Sequence, residues 1–177
     1  MDWPAVRPIP REMRAAVLRE FGPPEVLRVE SVPTPRPGKN EVLVQVAAVS
    51  VGRLLDVVAR AGRHPWARFT FPHVLGAEHA GLVAATGAGV TTVEVGDRVA
   101  SFPLIVDEQE EMARAGFPEL SPTAQLIGTH RPGADAEYVC VPEANVRVVP
   151  DGVTASEAAA TLLGATVAMT QFERAGG

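Results

Sequence analysis

One cysteine, Cys140, is all that the 177 residues contain. A lone thiol can form neither an internal disulfide nor a thiolate zinc cage, and such scarcity is the default pattern of a reducing, cytoplasmic compartment. Long apolar runs are missing as well. Nothing reaches the roughly 18 consecutive apolar residues of a membrane span. The opening Met1 to Pro10 carries three prolines and no apolar stretch, so it does not read as a signal peptide. Positive charge is in deficit: 16 Lys and Arg face 21 Asp and Glu, a net charge of −5. No general attraction to nucleic acid or to an anionic membrane is expected from that balance. A dinucleotide fingerprint is also lacking. Gly87-Ala88-Gly89 runs on into Val90-Thr91-Thr92 with no third glycine and no helix, so it reads as a turn.

What is present suits a globular chain. Apolar residues make up 46% and charged residues 21%, and a chain near this length buries about 70% of its unfolded surface. Sixteen Gly and sixteen Pro predict many turns between short strands. Residues 1–12 read as a loose lead-in. Strands are expected from Met13 to Phe21, from Val26 to Val32 and from Glu41 to Val49. The last alternates Val42, Val44 and Val46 against Gln45 and Ala47, the period of a half-buried strand. Arg53 to Arg60 has the spacing of a short helix ending at Gly62, and His64 to Phe71 an aromatic, basic loop. Strand, turn and strand follow between His73 and Val99, then an acidic helical lobe from Asp107 to Ala115 and strands near Ala136 to Val141 and Asn145 to Val149. Ser156 to Arg174 switches to helical spacing. A mainly β unit over residues 13–153 is therefore expected to give way to a helical element over 154–177.

Several stretches in order carry a family resemblance. They are Gly22-Pro23-Pro24-Glu25-Val26-Leu27, Asp56-Val57-Val58-Ala59-Arg60-Ala61-Gly62, Gly76-Ala77-Glu78-His79-Ala80-Gly81-Leu82-Val83 and Gly96-Asp97-Arg98-Val99, followed by Ala136-Glu137-Tyr138-Val139 and Pro150-Asp151-Gly152. Together they resemble the N-terminal half of the medium-chain dehydrogenase/reductase superfamily, the zinc alcohol dehydrogenases and quinone oxidoreductases. The resemblance implies a GroES-like, partly open β-barrel as catalytic domain. The segment 154–177 would be the first helix of an absent Rossmann domain that binds NAD or NADP, a cofactor this chain alone is not expected to hold.

Matched residue by residue, the resemblance places the catalytic-zinc ligands of the family at Arg53, Ala77, Glu78 and near Leu163, and a proton-relaying hydroxyl at Leu55. Only Glu78 can bind a metal, whereas a catalytic zinc takes about three protein ligands. A second, four-cysteine zinc lobe would have its ligands at Asp107, Glu110, Ala113 and Ser121. No zinc is expected in either place, and the lobe is expected to be held by packing of Phe117, Leu120 and Leu126. Arg53 and Glu78 are the candidate catalytic residues, Arg53 as a guanidinium able to grip a carboxylate, phosphate or oxyanion. Thr166 is the candidate contact to the cofactor. Plainer readings stand beside these: Arg53 as a solvated helix start, Glu78 as a structural carboxylate paired with an arginine, with Arg98 as one candidate, and the four histidines as turn or surface residues. Cys140 is expected to be buried rather than reactive.

Two functions remain from the sequence. One is the substrate-domain half of a zinc-independent NAD(P)H-dependent oxidoreductase, inactive by itself, acting on a small molecule with an activated C=C or carbonyl. Its expected partner is a Rossmann domain or a second copy, with no nucleic acid and no membrane. The other is a standalone GroES-like binding module without catalysis.

Overall fold

A computed structural model describes residues 3–65 and 70–176. The loop expected from His64 to Phe71 lies partly outside the described residues. Ten strands dominate: β1 (Glu12–Leu18), β2 (Leu27–Pro33), β3 (Glu41–Ser50), β4 (His73–Val74), β5 (Glu78–Thr86), β6 (Arg98–Ser101), β7 (Leu104–Ile105), β8 (Gln125–Leu126), β9 (Tyr138–Pro142) and β10 (Val146–Val148). Two α-helices accompany them, the single turn α1 (Glu111–Arg114) and the long α2 (Ala155–Arg174). Between Arg53 and Val58 the chain makes a π-helical turn.

The strands form three antiparallel sheets, in the orders β2-β1-β4, β10-β6-β5-β3-β9 and β7-β8. An isolated bridge between Ala15 and Ala136 joins the first sheet to the approach to β9. The sheets stay open, so among the described residues no barrel closes, in keeping with the partly open GroES-like architecture expected. A valine-rich cluster of Val42, Val44, Val83, Val99, Val139 and Val141 fills one face of the five-stranded sheet. Met13, Leu43, Ala84 and Tyr138 form a second cluster on the other.

β3 departs from the half-buried strand that its alternation predicts. The period holds, but both faces are covered: Leu43 and Gln45 are as buried as Val42 and Val44. Residues 3–10 supply part of that cover. Gln45 Nε2 donates to the Ala5 carbonyl at 3.0 Å, and the Arg7 amide donates to Gln45 Oε1 at 2.9 Å. Trp3 Nε1 donates to the Val153 carbonyl at 2.9 Å. The lead-in thus has no regular structure yet is tied down at three points, because a buried amide side chain needs its donors and acceptors matched.

α2 opens on a capping box. Thr154 Oγ1 accepts from the Glu157 amide while the Glu157 carboxylate accepts from the Thr154 amide, satisfying donors that a helix start leaves over. The small residues of its first two turns, Ala155, Ala158 and Ala159, let it lie close on the sheet. Ala158 and Ala159 pack with Ala80, Ala100 and Val149, with Trp3 and Ala48 alongside. The second half of α2 is different, since Val167, Met169 and Phe172 are exposed. No helix among the described residues is long and apolar enough to cross a membrane.

Candidate functional site

The site is built where the π-turn, the Gly76 loop and the start of β5 converge. Asp56 sits on the π-turn and is buried. Its Oδ2 accepts from the Gly52 amide at 2.5 Å and its Oδ1 from the Gly76 amide at 3.1 Å. Gly76 adopts φ +97°, and a Cβ there would lie 2.4 Å from the Asp135 amide nitrogen. Only glycine combines that conformation with so close an approach. Burial raises the Asp56 carboxyl above its ordinary value, outweighing the two backbone hydrogen bonds that lower it.

Glu78 opens β5, opposite Ser50 of β3. Side chains alternate along a strand, so Glu78 shares the face of Ala80, the face on which α2 packs. A Cβ on Gly52 would stand 3.3 Å from Glu78 Oε2 and 3.4 Å from Asp56 Oδ2. The two carboxylates therefore flank one glycine. Partial burial, followed by the Asp56 charge, raises the Glu78 carboxyl. Asp135 completes the group, pushed up to about 6 by burial and then by Asp56. Sequence reasoning passed over Asp56 as a motif residue and did not single out Asp135. The signal was a pair of acids set four residues beyond Gly52 and two beyond Ala134-flanking Gly133, which spacing alone does not distinguish from ordinary loop acids.

The sequence candidates are only partly brought together. Arg53 starts the π-turn directly after Gly52, but it is exposed and makes no ion pair among the described residues. Arg98 pairs with Asp151 at 3.4 Å rather than with Glu78, which corrects the structural pairing expected for that carboxylate. Thr166 lies half-buried in α2, where its Oγ1 donates to the Leu162 carbonyl at 2.7 Å. Its hydroxyl proton is thereby used within its own helix.

The histidines also differ from expectation. His64, His73 and His79 are buried rather than on the surface. His79 faces away from Glu78 into the sheet core. Burial pushes it down to about 4, and Nδ1 lies 3.3 Å from the Ala77 carbonyl while Nε2 has no partner among the described residues. His73 Nε2 lies 3.1 Å from the Gly128 carbonyl, and His130 Nδ1 accepts from the Leu126 amide at 3.0 Å. Each ring is engaged in holding loops or filling core. Cys140 is half-buried, and burial pushes its thiol up to about 12, which disfavours the reactive thiolate at neutral pH.

A catalytic zinc fits this donor set poorly. Arg53, Ala77 and Leu163 bring no ligand atom, and among the described residues no three His, Cys, Asp or Glu side chains form a group that could hold a metal ion. The glycine pair at 87 and 89 sits in a turn between β5 and β6 with no helix following it, so this turn is not a dinucleotide cradle. In the lobe after β7, Phe117 and Leu120 are exposed, so burial of those two side chains in a lobe core does not secure it as expected. Its helix is also shorter than the sequence predicts, a four-residue turn.

Residues 38–151 match the family described as the alcohol dehydrogenase GroES-like domain. An L-threonine 3-dehydrogenase of Rhizobium johnstonii is 36% identical over 135 residues, covering 74% of this chain and 38% of that protein. A crystal structure of an NAD-dependent alcohol dehydrogenase superposes with a TM-score of 0.79 at 42% identity, over 84% of this chain and 43% of that one. The cobalt- and zinc-bound thermostable alcohol dehydrogenase from Pyrobaculum aerophilum gives a TM-score of 0.82 at 33% identity, over 92% and 48%. The chain thus spans less than half the length of these relatives.

Proposed function

Because the chain belongs to the alcohol dehydrogenase GroES-like domain family of the medium-chain dehydrogenase/reductases, we propose that it is the substrate-side half of a zinc-independent NAD(P)H-dependent oxidoreductase. The observation that carries this reading is the donor set around Glu78. Of the positions that hold zinc in the family, Glu78 alone offers a ligand atom, while Arg53, Ala77 and Leu163 offer none. Carbonyl–alcohol exchange without a Lewis acid leaves the alkoxide unstabilised. Reduction of an activated C=C or a quinone instead spreads the developing charge into an enolate or phenolate, which hydrogen-bond donors can hold.

Hydride in this family comes from the nicotinamide. What the chain supplies is the other side of the site. Glu78, raised by burial and by Asp56, holds its proton to higher pH than an ordinary glutamate and is the candidate proton donor. Arg53, exposed beside Gly52, is the candidate grip on an anionic group of the substrate. Asp56 positions both by fixing the backbone of Gly52 and Gly76.

A standalone binding module is the second reading, and the docking of the first turns of α2 on the sheet favours it. The exposed Met169 and Phe172, which lie about 60° apart on one side of α2, are compatible with a cover in the dehydrogenase reading. The test is direct. Pure chain with NADPH or NADH and a panel of enones and quinones is expected to show no cofactor oxidation, and turnover is expected on adding a cofactor-binding half in trans. Near-stoichiometric zinc by elemental analysis would overturn the metal-free assignment. Turnover by the isolated chain would overturn the half-enzyme one.

A further inference from the structure

The lobe between β7 and β8 presents Asp107, Glu110, Ala113 and Ser121 where the family resemblance puts four metal-binding cysteines. No thiolate is available there, and three of these four side chains are occupied locally. Asp107 Oδ1 accepts from the Gln109 amide at 2.9 Å. Glu110 caps α1, its Oε2 accepting from the amides of Met112 at 3.0 Å and Ala113 at 3.4 Å. Ser121 Oγ accepts from the Thr123 amide at 3.3 Å and lies 3.1 Å from Thr123 Oγ1. Such a set does not suit a tetrahedral nitrogen and sulfur site. It does turn the chain at the points where a metal would otherwise gather it.

Local turns alone do not fasten a lobe to the rest of the molecule. At its base the two-residue strands β7 and β8 pair, Leu104 with Leu126 and Ile105 with Gln125. At its tip the tie comes from Arg174, the last residue of α2. One guanidinium nitrogen donates to the Glu119 carboxylate, the other to the Gly116 carbonyl at 3.0 Å. The guanidinium carbon stands 5.0 Å from the centroid of the Phe117 ring. A planar, permanently charged fork can serve a carboxylate, a carbonyl and a ring face together; a lysine ammonium cannot reproduce that geometry.

We infer that Arg174 takes over the fastening task of a lobe metal: it is a positioning residue that clamps residues 116–119 against the end of α2, and the lobe needs no ion. The inference rests on the family reading only for what the lobe lacks; the clamp itself rests on the three contacts. One consequence is that the lobe tip and the C-terminal turn of α2 order together, so an event that moves one changes protection of the other.

Amide hydrogen exchange on the full chain tests it, with wild type, Arg174→Ala, Arg174→Lys and Glu119→Gln compared, and wild type repeated with EDTA. Loss of the clamp is expected to speed exchange of the amides of 112–121 by about tenfold in Arg174→Ala. Arg174→Lys should fall close to Arg174→Ala, and Glu119→Gln, which keeps the carbonyl and ring contacts, should show a smaller rise. Exchange in β5 should not change, and EDTA should have no effect. Unchanged lobe exchange in Arg174→Ala would overturn the clamp, as would an acceleration spread equally over β5, which would mark a general stabiliser. Acceleration of wild-type lobe exchange by EDTA would overturn the metal-free lobe. None of these readouts depends on turnover, so failure of the clamp and failure of the half-enzyme reading are distinguishable.

Discussion

His79 shows how much a single buried ring can do to the acid behaviour of this protein. Its folded value is about 4 against an ordinary 6.5, so the fold favours the neutral ring. That contribution is complete above pH 6.5 and is lost as pH falls from 6.5 towards 4, a loss of about 3 kcal/mol at 1.36 kcal/mol per unit. Asp135 acts in the opposite sense. Its carboxyl is raised from 3.8 to about 6, so its contribution is present below 3.8 and lost as pH rises through 6. Between pH 4 and 6 the two oppose each other. We expect a shallow dependence of unfolding free energy on pH in wild type across that window. In His79→Met the fully buried member of the opposing group is removed while His64 and His73, also lowered by burial, remain, so stability is expected to fall less, or rise more, than in wild type as pH falls from 6 to 4. Urea unfolding at several pH values checks this, and a parallel decline in both proteins would exclude the assignment. Neither group was legible as a determinant from sequence. His79 follows Glu78 in a motif that draws attention to its neighbour, and Asp135 lies in a plain Ala134-Asp135-Ala136 stretch; burial decides both, and burial is a tertiary property.

At the scale of elements, the periods of the sequence were a sound guide to strand and helix positions but not to what covers them. β3 alternates as expected, yet Gln45 is buried because residues 3–10 return to bond it, and proline-rich irregular segments announce no such destination. The helix over Ser156 to Arg174 was legible from spacing and appears as α2 with one further residue at its start. Its start and its middle carry separable energetics. Thr154→Ala removes the capping box and is expected to cost about 1 kcal/mol. Gly164→Ala is expected to gain about 0.5–1 kcal/mol, since an added Cβ there meets nothing within 4 Å and alanine is the better helix former. Denaturant titrations of both variants check the pair. If α2 contributes to the cooperative unit, the midpoints move in opposite directions; if neither moves, α2 unfolds independently of the sheet.

For the molecule as a whole, the family and the GroES-like architecture were readable from ordered motifs, because glycine turns and acid positions recur at fixed distances in it. The placement of the lobe was not readable, since a contact between Arg174 and residues some 55 positions earlier leaves no periodic trace. Nor was the role of the first ten residues. Deleting residues 1–10 is expected to destabilise the whole protein by about 1–3 kcal/mol, because the buried Gln45 amide loses its partners. A thermal melt compared with that of Gln45→Leu in the same deletion checks the cause: replacing the stranded amide by an apolar group should recover part of the loss.

The bond from the Trp3 indole to the Val153 carbonyl has an optical consequence. It sets one of the protein's two tryptophans against the residue just before the Thr154 cap, at the junction from which α2 departs. With Trp66 replaced by phenylalanine, the remaining indole becomes an intrinsic fluorophore at that junction. Its emission would shift to longer wavelength whenever the helix swings away and water reaches the ring, so the protein carries its own reporter for the motion of α2.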